Sequence, residues 1–173
     1  LEAIDELPGR MQRIVCGQEF SLLVDAANTP DTLRACLKAA RNVTSGRLIV
    51  VFGAHGDMHQ EQLPALGRVA GSLADVSIIT TTGPREPGSR DFTRSIVGGF
   101  TDPHTANVIL DRAQAIAWGL DQASEGDTVV LAGMGDRLYP NTNTKELPWD
   151  DGDVARHILT GAFGSILPHR IAA

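Results

Sequence analysis

Residues 48–52 read Leu-Ile-Val-Val-Phe, five apolar side chains in an unbroken row, and Gly53 follows them directly. Successive side chains of a strand point to opposite faces of its sheet, so a strand that is apolar throughout has to be covered on both sides. The run therefore predicts a central strand over 47–52 that ends in a glycine turn. Thr-Val-Val-Leu-Ala at 128–132 has the same character and also runs into glycine, at Gly133-Met134-Gly135.

Around these two runs the pattern alternates between strand and helix. The apolar, β-rich stretches 11–16 and 20–26 flank Gly17-Gln18, a turn short enough for a hairpin, so an antiparallel pair is expected first. Thr29-Pro30 suits a helix N-cap and first turn, and Leu33, Cys36, Leu37 and Ala40 follow at helical spacing. Leu63, Leu66, Ala70 and Leu73 mark a second helix, with a strand over 75–81 after it. The spacing next predicts a glycine-weakened helix over 91–100 and a short strand over 107–110. A helix striped by Ala113, Ile116, Ala117 and Leu120 follows, and a closing helix runs through Val154, Ile158, Leu159 and Ala162.

This order predicts a Rossmann-like α/β domain in three layers: about six strands, mostly parallel, an antiparallel edge strand, and helices on both faces. One domain is expected over 1–173, with 1–9 as a linker leading into it. The stretch 136–149 lacks periodicity and is expected to be a long loop.

A net charge of −6 with no basic run disfavours a phosphate backbone, so no nucleic-acid partner is expected. No stretch reaches the apolar length of a membrane span. Cys16 and Cys36 have neither metal-ligand spacing nor the density of a disulfide scaffold, and read as reduced, buried thiols in a cytoplasmic setting. The first ten residues lack the basic start and apolar core of a signal peptide.

Ligands of open α/β sheets sit beyond the carboxyl ends of the strands. Here that edge collects the turns 25–31, 53–59, 81–85 and 133–137. Each alone is an ordinary strand-to-helix connection, but together and in this order they define a candidate cleft. No segment has the eight-residue phosphate loop ending in Gly-Lys-Ser/Thr, and Gly133-Met134-Gly135 is not followed by the third glycine of a dinucleotide fingerprint. A Gly-x-Ser-x-Gly elbow is absent too. His55 and His59 bracket Asp57 across a glycine turn, which reads as a solvated loop rather than a metal site. His104, His157 and His169 stand singly. Trp118 is expected to pack, whereas Tyr139 and Trp149 in the long loop suit either packing or stacking. No catalytic or metal-ligating residue is assigned.

The same turns resemble the C-terminal domain of the Mur ligase family, ATP-dependent amide-forming enzymes of peptidoglycan synthesis, and most closely the ligases that add the third amino acid to the UDP-muramoyl dipeptide. The likeness runs from about Leu7 to Ala162. Pro8-Gly9-Arg10 matches the family's Pro-Gly-Arg, whose arginine reaches ATP phosphates. Asp25-Ala26-Ala27-Asn28-Thr29-Pro30 stands where the family has Asp-Tyr-Ala-His-x-Pro. Gly53-Ala54-His55-Gly56-Asp57 stands for Gly-x-Gly-Gly-Asp, and Gln62-Leu63-Pro64 for Lys-Arg-Pro. The resemblance thus implies Arg10, Asp25, Asn28 and Asp57 as the cofactor-side residues.

On the substrate side, Thr82-Gly83-Pro84-Arg85 takes the place of Asp-Asn-Pro-Arg, whose arginine is suited to hold a carboxylate bidentately. Gly133-Met134-Gly135-Asp136-Arg137 takes the place of Gly-Lys-Gly-His-Glu, with a cation where an acid would receive a distal ammonium. That reversal argues against diaminopimelate or lysine. The implied substrate-binding residues are Pro84, Arg85, Gly133, Gly135 and Arg137. Asp150-Asp151 matches a late acidic pair before the family's last helix.

In the family the phosphate loop, the magnesium ligands and a modified lysine belong to a central domain. The resemblance therefore implies ATP and Mg as cofactors bound mainly by that domain, none by these residues alone, and upstream ligase domains as partners. A small amino acid or other carboxylate is the implied ligand, and the chain by itself is expected to be inactive, since closure contributes positioning and water exclusion. Two readings follow: a divergent ligase's substrate-binding domain, or a non-catalytic interaction domain derived from one. The second is motivated by the substitutions at Asn28, Gln62, Leu63, Asp136 and Arg137. A stand-alone nucleotide-binding enzyme rests on fold analogy alone.

Overall fold

The computed structural model describes residues 9–54, 58–82, 89–134 and 149–161. Among these, six strands form one sheet in the order β1-β2-β6-β3-β4-β5. They are β1 (Gln12–Ile14), β2 (Ser21–Asp25), β3 (Leu48–Phe52), β4 (Val76–Ile79), β5 (Ala106–Val108) and β6 (Thr128–Ala132). β1 runs antiparallel to β2 at one edge, and every other pairing is parallel. The mostly parallel sheet with an antiparallel edge strand is the architecture expected from the alternating pattern.

The unbroken apolar runs divide their side chains between two cores. Leu48, Val50 and Phe52 of β3, with Val130 and Ala132 of β6, join the core covered by α1 (Pro30–Asn42), α2 (Leu63–Leu73) and α3 (Ser89–Val97). Ile49 and Val51, with Val129 and Leu131, join the opposite core under α4 (Arg112–Asp121) and α5 (Asp151–Leu159). All five residues of β3 and all five of β6 are buried, as strands covered on both faces require.

Helix ends are fixed by the residues that read as caps. The Thr29 hydroxyl accepts from the Thr32 amide while the Thr32 hydroxyl accepts from the Thr29 amide, a capping box closed by two threonines, with Pro30 in the first turn. Asp111 caps α4 through the Gln114 amide at 2.9 Å, and Asp150 caps α5 through the Asp153 amide at 2.9 Å.

Several details differ from the sequence reading, and the closing helix ends at Leu159 with Thr160 as its C-cap, while Ala162 lies outside the described residues. α3 stops at Val97 instead of reaching Phe100, because Gly98-Gly99 form the turn and Gly99 lies so close to α2 that a Cβ on it would stand 1.9 Å from the Pro64 carbonyl oxygen. β5 is shorter than 107–110 because the Leu110 carbonyl accepts from the hydroxyls of Thr80 at 3.3 Å and Thr81 at 3.0 Å rather than from a neighbouring strand. In α4 the buried stripe is Ala113, Ala115, Ile116, Gly119 and Leu120, while Ala117 is half-buried. Cys36 is buried as expected, and Cys16 is half-buried.

Candidate functional site

The parallel register brings the carboxyl ends of four strands side by side. Asp25 of β2 stands opposite Ala132 of β6, Val51 of β3 opposite Leu131, and Phe52 opposite Ile79 of β4. The chain leaves β6 at Gly133, whose φ of +105° lies in the region glycine favours, and the Gly133 amide donates to the Asp25 carbonyl at 3.0 Å. A Cβ on Gly133 would lie 3.6 Å from the Gly53 carbonyl oxygen and 3.8 Å from both the Ala27 carbonyl oxygen and Thr82 Cγ2. The exits of β2, β3 and β4 thus meet around the exit of β6. Thr82 Oγ1 donates to the Ala54 carbonyl at 2.8 Å and ties two of these exits directly. The expected gathering of the four turns at one sheet edge is present in the described part of each.

Asp25 has a backbone task at this edge. Its Oδ2 accepts from the Met11 amide at 2.9 Å and its Oδ1 from the Ala27 amide at 2.8 Å. The Ala26 amide donates to the Gly9 carbonyl at 2.8 Å, so the turn holding Arg10 is stitched to the end of β2. Both flanks of that turn have positive φ, 67° at Gly9 and 48° at Met11. Arg10 itself is exposed, and Asn28, half-buried, sits one residue before the cap of α1. These three of the four expected cofactor-side residues share one corner. Asp57 lies outside the described residues, as do Pro84, Arg85, Gly135 and Arg137; Gly133 is the substrate-side residue that is placed.

Of the positions that resemblance marks as altered, Leu63 is fully buried as the first residue of α2 and belongs to the core, whereas Gln62 is exposed. His59 is exposed in the short 3₁₀ turn before α2, as a solvated loop residue.

Sequence reasoning missed Arg112. Its side chain, on the first turn of α4, is 3% exposed and pairs with Asp151, 0% exposed, on the first turn of α5. Arg112 Nε donates to Asp151 Oδ1 at 2.8 Å and Nη2 donates to Oδ2, the bidentate geometry of a strong ion pair. The same guanidinium donates to the Thr81 carbonyl at 3.3 Å and the Ala132 carbonyl at 3.0 Å. Trp149 Nε1 donates to Asp151 Oδ1 at 2.8 Å, so this tryptophan anchors the chain ahead of α5. The acidic pair 150–151 was the available signal: the first residue is a helix cap and the second a buried counter-ion.

At the opposite, amino edge of the sheet an open groove of about 510 Å³ is lined by Lys38, Arg41, Ser72 and Asp75, among others. Arg41 and Asp75 are already paired there at 2.7 Å.

Residues 9–135 match the family described as Mur ligase, glutamate ligase domain. The UDP-N-acetylmuramoyl-L-alanyl-D-glutamate--2,6-diaminopimelate ligase of Trichormus variabilis is 40% identical over 156 residues, which is 89% of this chain and 32% of that protein. The Synechococcus elongatus ligase of the same name is 41% identical over 155 residues, 88% of this chain and 31% of that protein. A solved structure of a ligase of this name superposes with a TM-score of 0.79 at 32% identity, covering 90% of this chain and 32% of its own. E. coli FolC in complex with ADP, at 18% identity and a TM-score of 0.57 over 94% of this chain and 33% of its own, shares the fold. The chain spans about a third of the length of the relatives it matches.

Proposed function

The chain belongs to the Mur ligase family, as its glutamate ligase domain, and on that premise we propose that it is the C-terminal substrate-binding domain of a divergent ATP-dependent ligase that joins an amino acid to a UDP-N-acetylmuramoyl-peptide. The observation that carries this reading is the convergence of four strand exits around Gly133, with the exposed Arg10 and half-buried Asn28 at the same sheet edge. A corner of this kind offers an exposed cationic side chain and close backbone approach, which suits a polyanion held mainly by a neighbouring domain.

ATP and Mg are assigned chiefly to the upstream domains, where ATP would supply the phosphoryl group that activates the peptide carboxylate, with ADP leaving at that step and phosphate leaving when the amine attacks. On this side, Arg10 and Asn28 would meet the nucleotide together with Asp57, while Asp25 shapes the turn that presents Arg10. The incoming amino acid would be held by Arg85 through its carboxylate, with Pro84, Gly133, Gly135 and Arg137 around it. Arg137 favours a side chain that is neutral or anionic, since a distal ammonium there would face a like charge. Docking of the domain onto its upstream partners would align the amine and exclude water. No helix among the described residues is long and apolar enough to cross a membrane, and a ligase using ATP and a nucleotide-linked precursor would work in the cytoplasm.

Calorimetric titration of the chain with L-alanine, L-glutamate and L-lysine tests this. Weak binding of the first two, lost in Arg85→Ala, is the expected result. Binding that Arg85→Ala leaves unchanged overturns the assignment of Arg85. Absence of binding to all three, together with absence of activity when the chain is joined to intact upstream domains, would favour a non-catalytic interaction domain.

A further inference from the structure

β4 and β6 are not neighbours in the sheet, because β3 lies between them. No ladder of backbone hydrogen bonds therefore sets the distance between their exits directly. Arg112 does reach both, Nη1 donating to Thr81 just beyond β4 and Nη2 to Ala132 at the end of β6, while Nε and Nη2 also donate to Asp151. Asp151 Oδ1 also accepts from Trp149, so the chain that departs beyond Met134 returns to the same ion pair. One planar guanidinium, with donors in a rigid fork, joins three backbone segments.

A buried ion pair is a costly way to gain stability, since well-packed apolar residues of similar volume often do as well or better. What apolar side chains cannot do is hold two carbonyl oxygens at a set separation. We propose that Arg112, oriented by Asp151, is a positioning residue for substrate: it fixes the exits of β4 and β6 at the carboxyl edge, from which the sequence runs on to Arg85 and Arg137. The inference rests on the ligase reading for what is positioned, and on the hydrogen bonds alone for how.

The test uses the intact chain with three variants: Arg112→Lys, Arg112→Met combined with Asp151→Leu, and Trp149→Phe. The double variant removes the charges together and is expected to stay folded, with a thermal midpoint lowered by the loss of the bonds to two carbonyls and the Trp149 indole N–H. Amide ¹H–¹⁵N spectra should nonetheless show displaced or broadened signals at Thr81, Thr82, Gly133 and Met134, with faster hydrogen exchange there. Affinity for whichever amino acid of the calorimetric panel binds best should fall about tenfold or more, as misplacement of a binding group does. Arg112→Lys keeps the charge beside Asp151 but cannot bridge both carbonyls, so it should fail to restore either property. Trp149→Phe should move the same amides less, because it leaves Arg112 in place.

Parent-like amide positions and exchange in the double variant, or full rescue by Arg112→Lys, would overturn the proposal. If the double variant does not fold, the lysine variant decides by the same amides. If the parent binds none of the panel and is also inactive when joined to intact upstream domains, the functional reading fails, while the spectra still decide the role of Arg112.

Discussion

Arg47 and Asp127 lock the amino ends of β3 and β6 together: Asp127 Oδ1 accepts from the Arg47 amide at 2.7 Å, and Oδ2 from Arg47 Nη2 at 2.8 Å. Asp75 repeats the device between β3 and β4, accepting from the Leu48 amide at 2.7 Å and from Arg41 Nη2 at 2.7 Å. The carboxylates of this edge are thereby committed to backbone amides and arginines. At the carboxyl edge, by contrast, Arg10 is exposed and the strand exits converge on a glycine. The amino end is thus held in register by ion pairs that reach backbone amides, and the carboxyl end is the edge at which open α/β sheets take their ligands.

The locked edge sets a pH dependence. Burial by itself raises the pKa of Asp127 and Asp75, but hydrogen bonds from backbone amides and from arginine outweigh it, and both carboxyls lie below their ordinary 3.8. As pH falls towards that value the unfolded chain takes up protons first, so these groups stabilise the fold above it and that contribution is lost as pH drops through the lower folded-state values. The thermal midpoint is expected to be level down to about pH 5 and to fall below about pH 4. Asp127→Asn should lower the midpoint at neutral pH and make the acid decline shallower. Equal acid slopes in parent and variant would remove Asp127 from this account.

Close approach at the carboxyl edge makes a second prediction. A Cβ on Gly53 would stand 2.3 Å from the Thr80 carbonyl oxygen, a backbone atom that cannot rotate away. Gly53→Ala should therefore push the exits of β3 and β4 apart and cost about 1–3 kcal/mol, the range for overpacking a tight interior. Gly98→Ala is the control, since its Cβ would meet nothing closer than 3.4 Å. Denaturant unfolding of the two variants should separate clearly, and similar midpoints would show that the β3–β4 exit yields more easily than its geometry implies.

Much of this architecture is legible in the sequence because its signals are local. Apolar runs gave β3 and β6, helical spacing gave α1 and α2, and glycines after strands marked the edge where the exits gather. The Arg112–Asp151 pair was not legible: the partners are 39 residues apart and sit on first helical turns, where an acid or base ordinarily reads as surface charge. Asp25 shows the complementary difficulty. A motif places an acid at the end of a strand, but only the fold reveals that the amides of Met11 and Ala27 take both its oxygens. Leu63 likewise looks like a lost cation in sequence and is a core residue in the structure.

The two thiols report on the packing of α1 behind the turn that presents Arg10, Cys36 as the probe and Cys16 as its internal control. Cys36 lies on the buried face of α1, its pKa pushed up to about 12, first by burial and then by the negative charge of Asp25. It approaches Met11 Sδ at 3.6 Å, directly behind the turn that presents Arg10. Cys16, half-buried after β1, has no such shelter. Because thiolate rather than thiol is the nucleophile, alkylation at neutral pH should modify Cys16 readily and leave Cys36 protonated and shielded. Cys36 should then react only when α1 lifts from the sheet or the chain unfolds, so its rate, followed by mass spectrometry of the peptides, measures that opening. A polyanion seated against Arg10 and Asn28 would bridge the first turn and the start of α1, and triphosphate or ATP should slow Cys36 modification while leaving Cys16 unchanged. Rapid labelling of Cys36 in the native protein would contradict the packing of α1. Slow labelling that ATP does not alter, in the chain joined to its upstream domains, would place the nucleotide away from this corner.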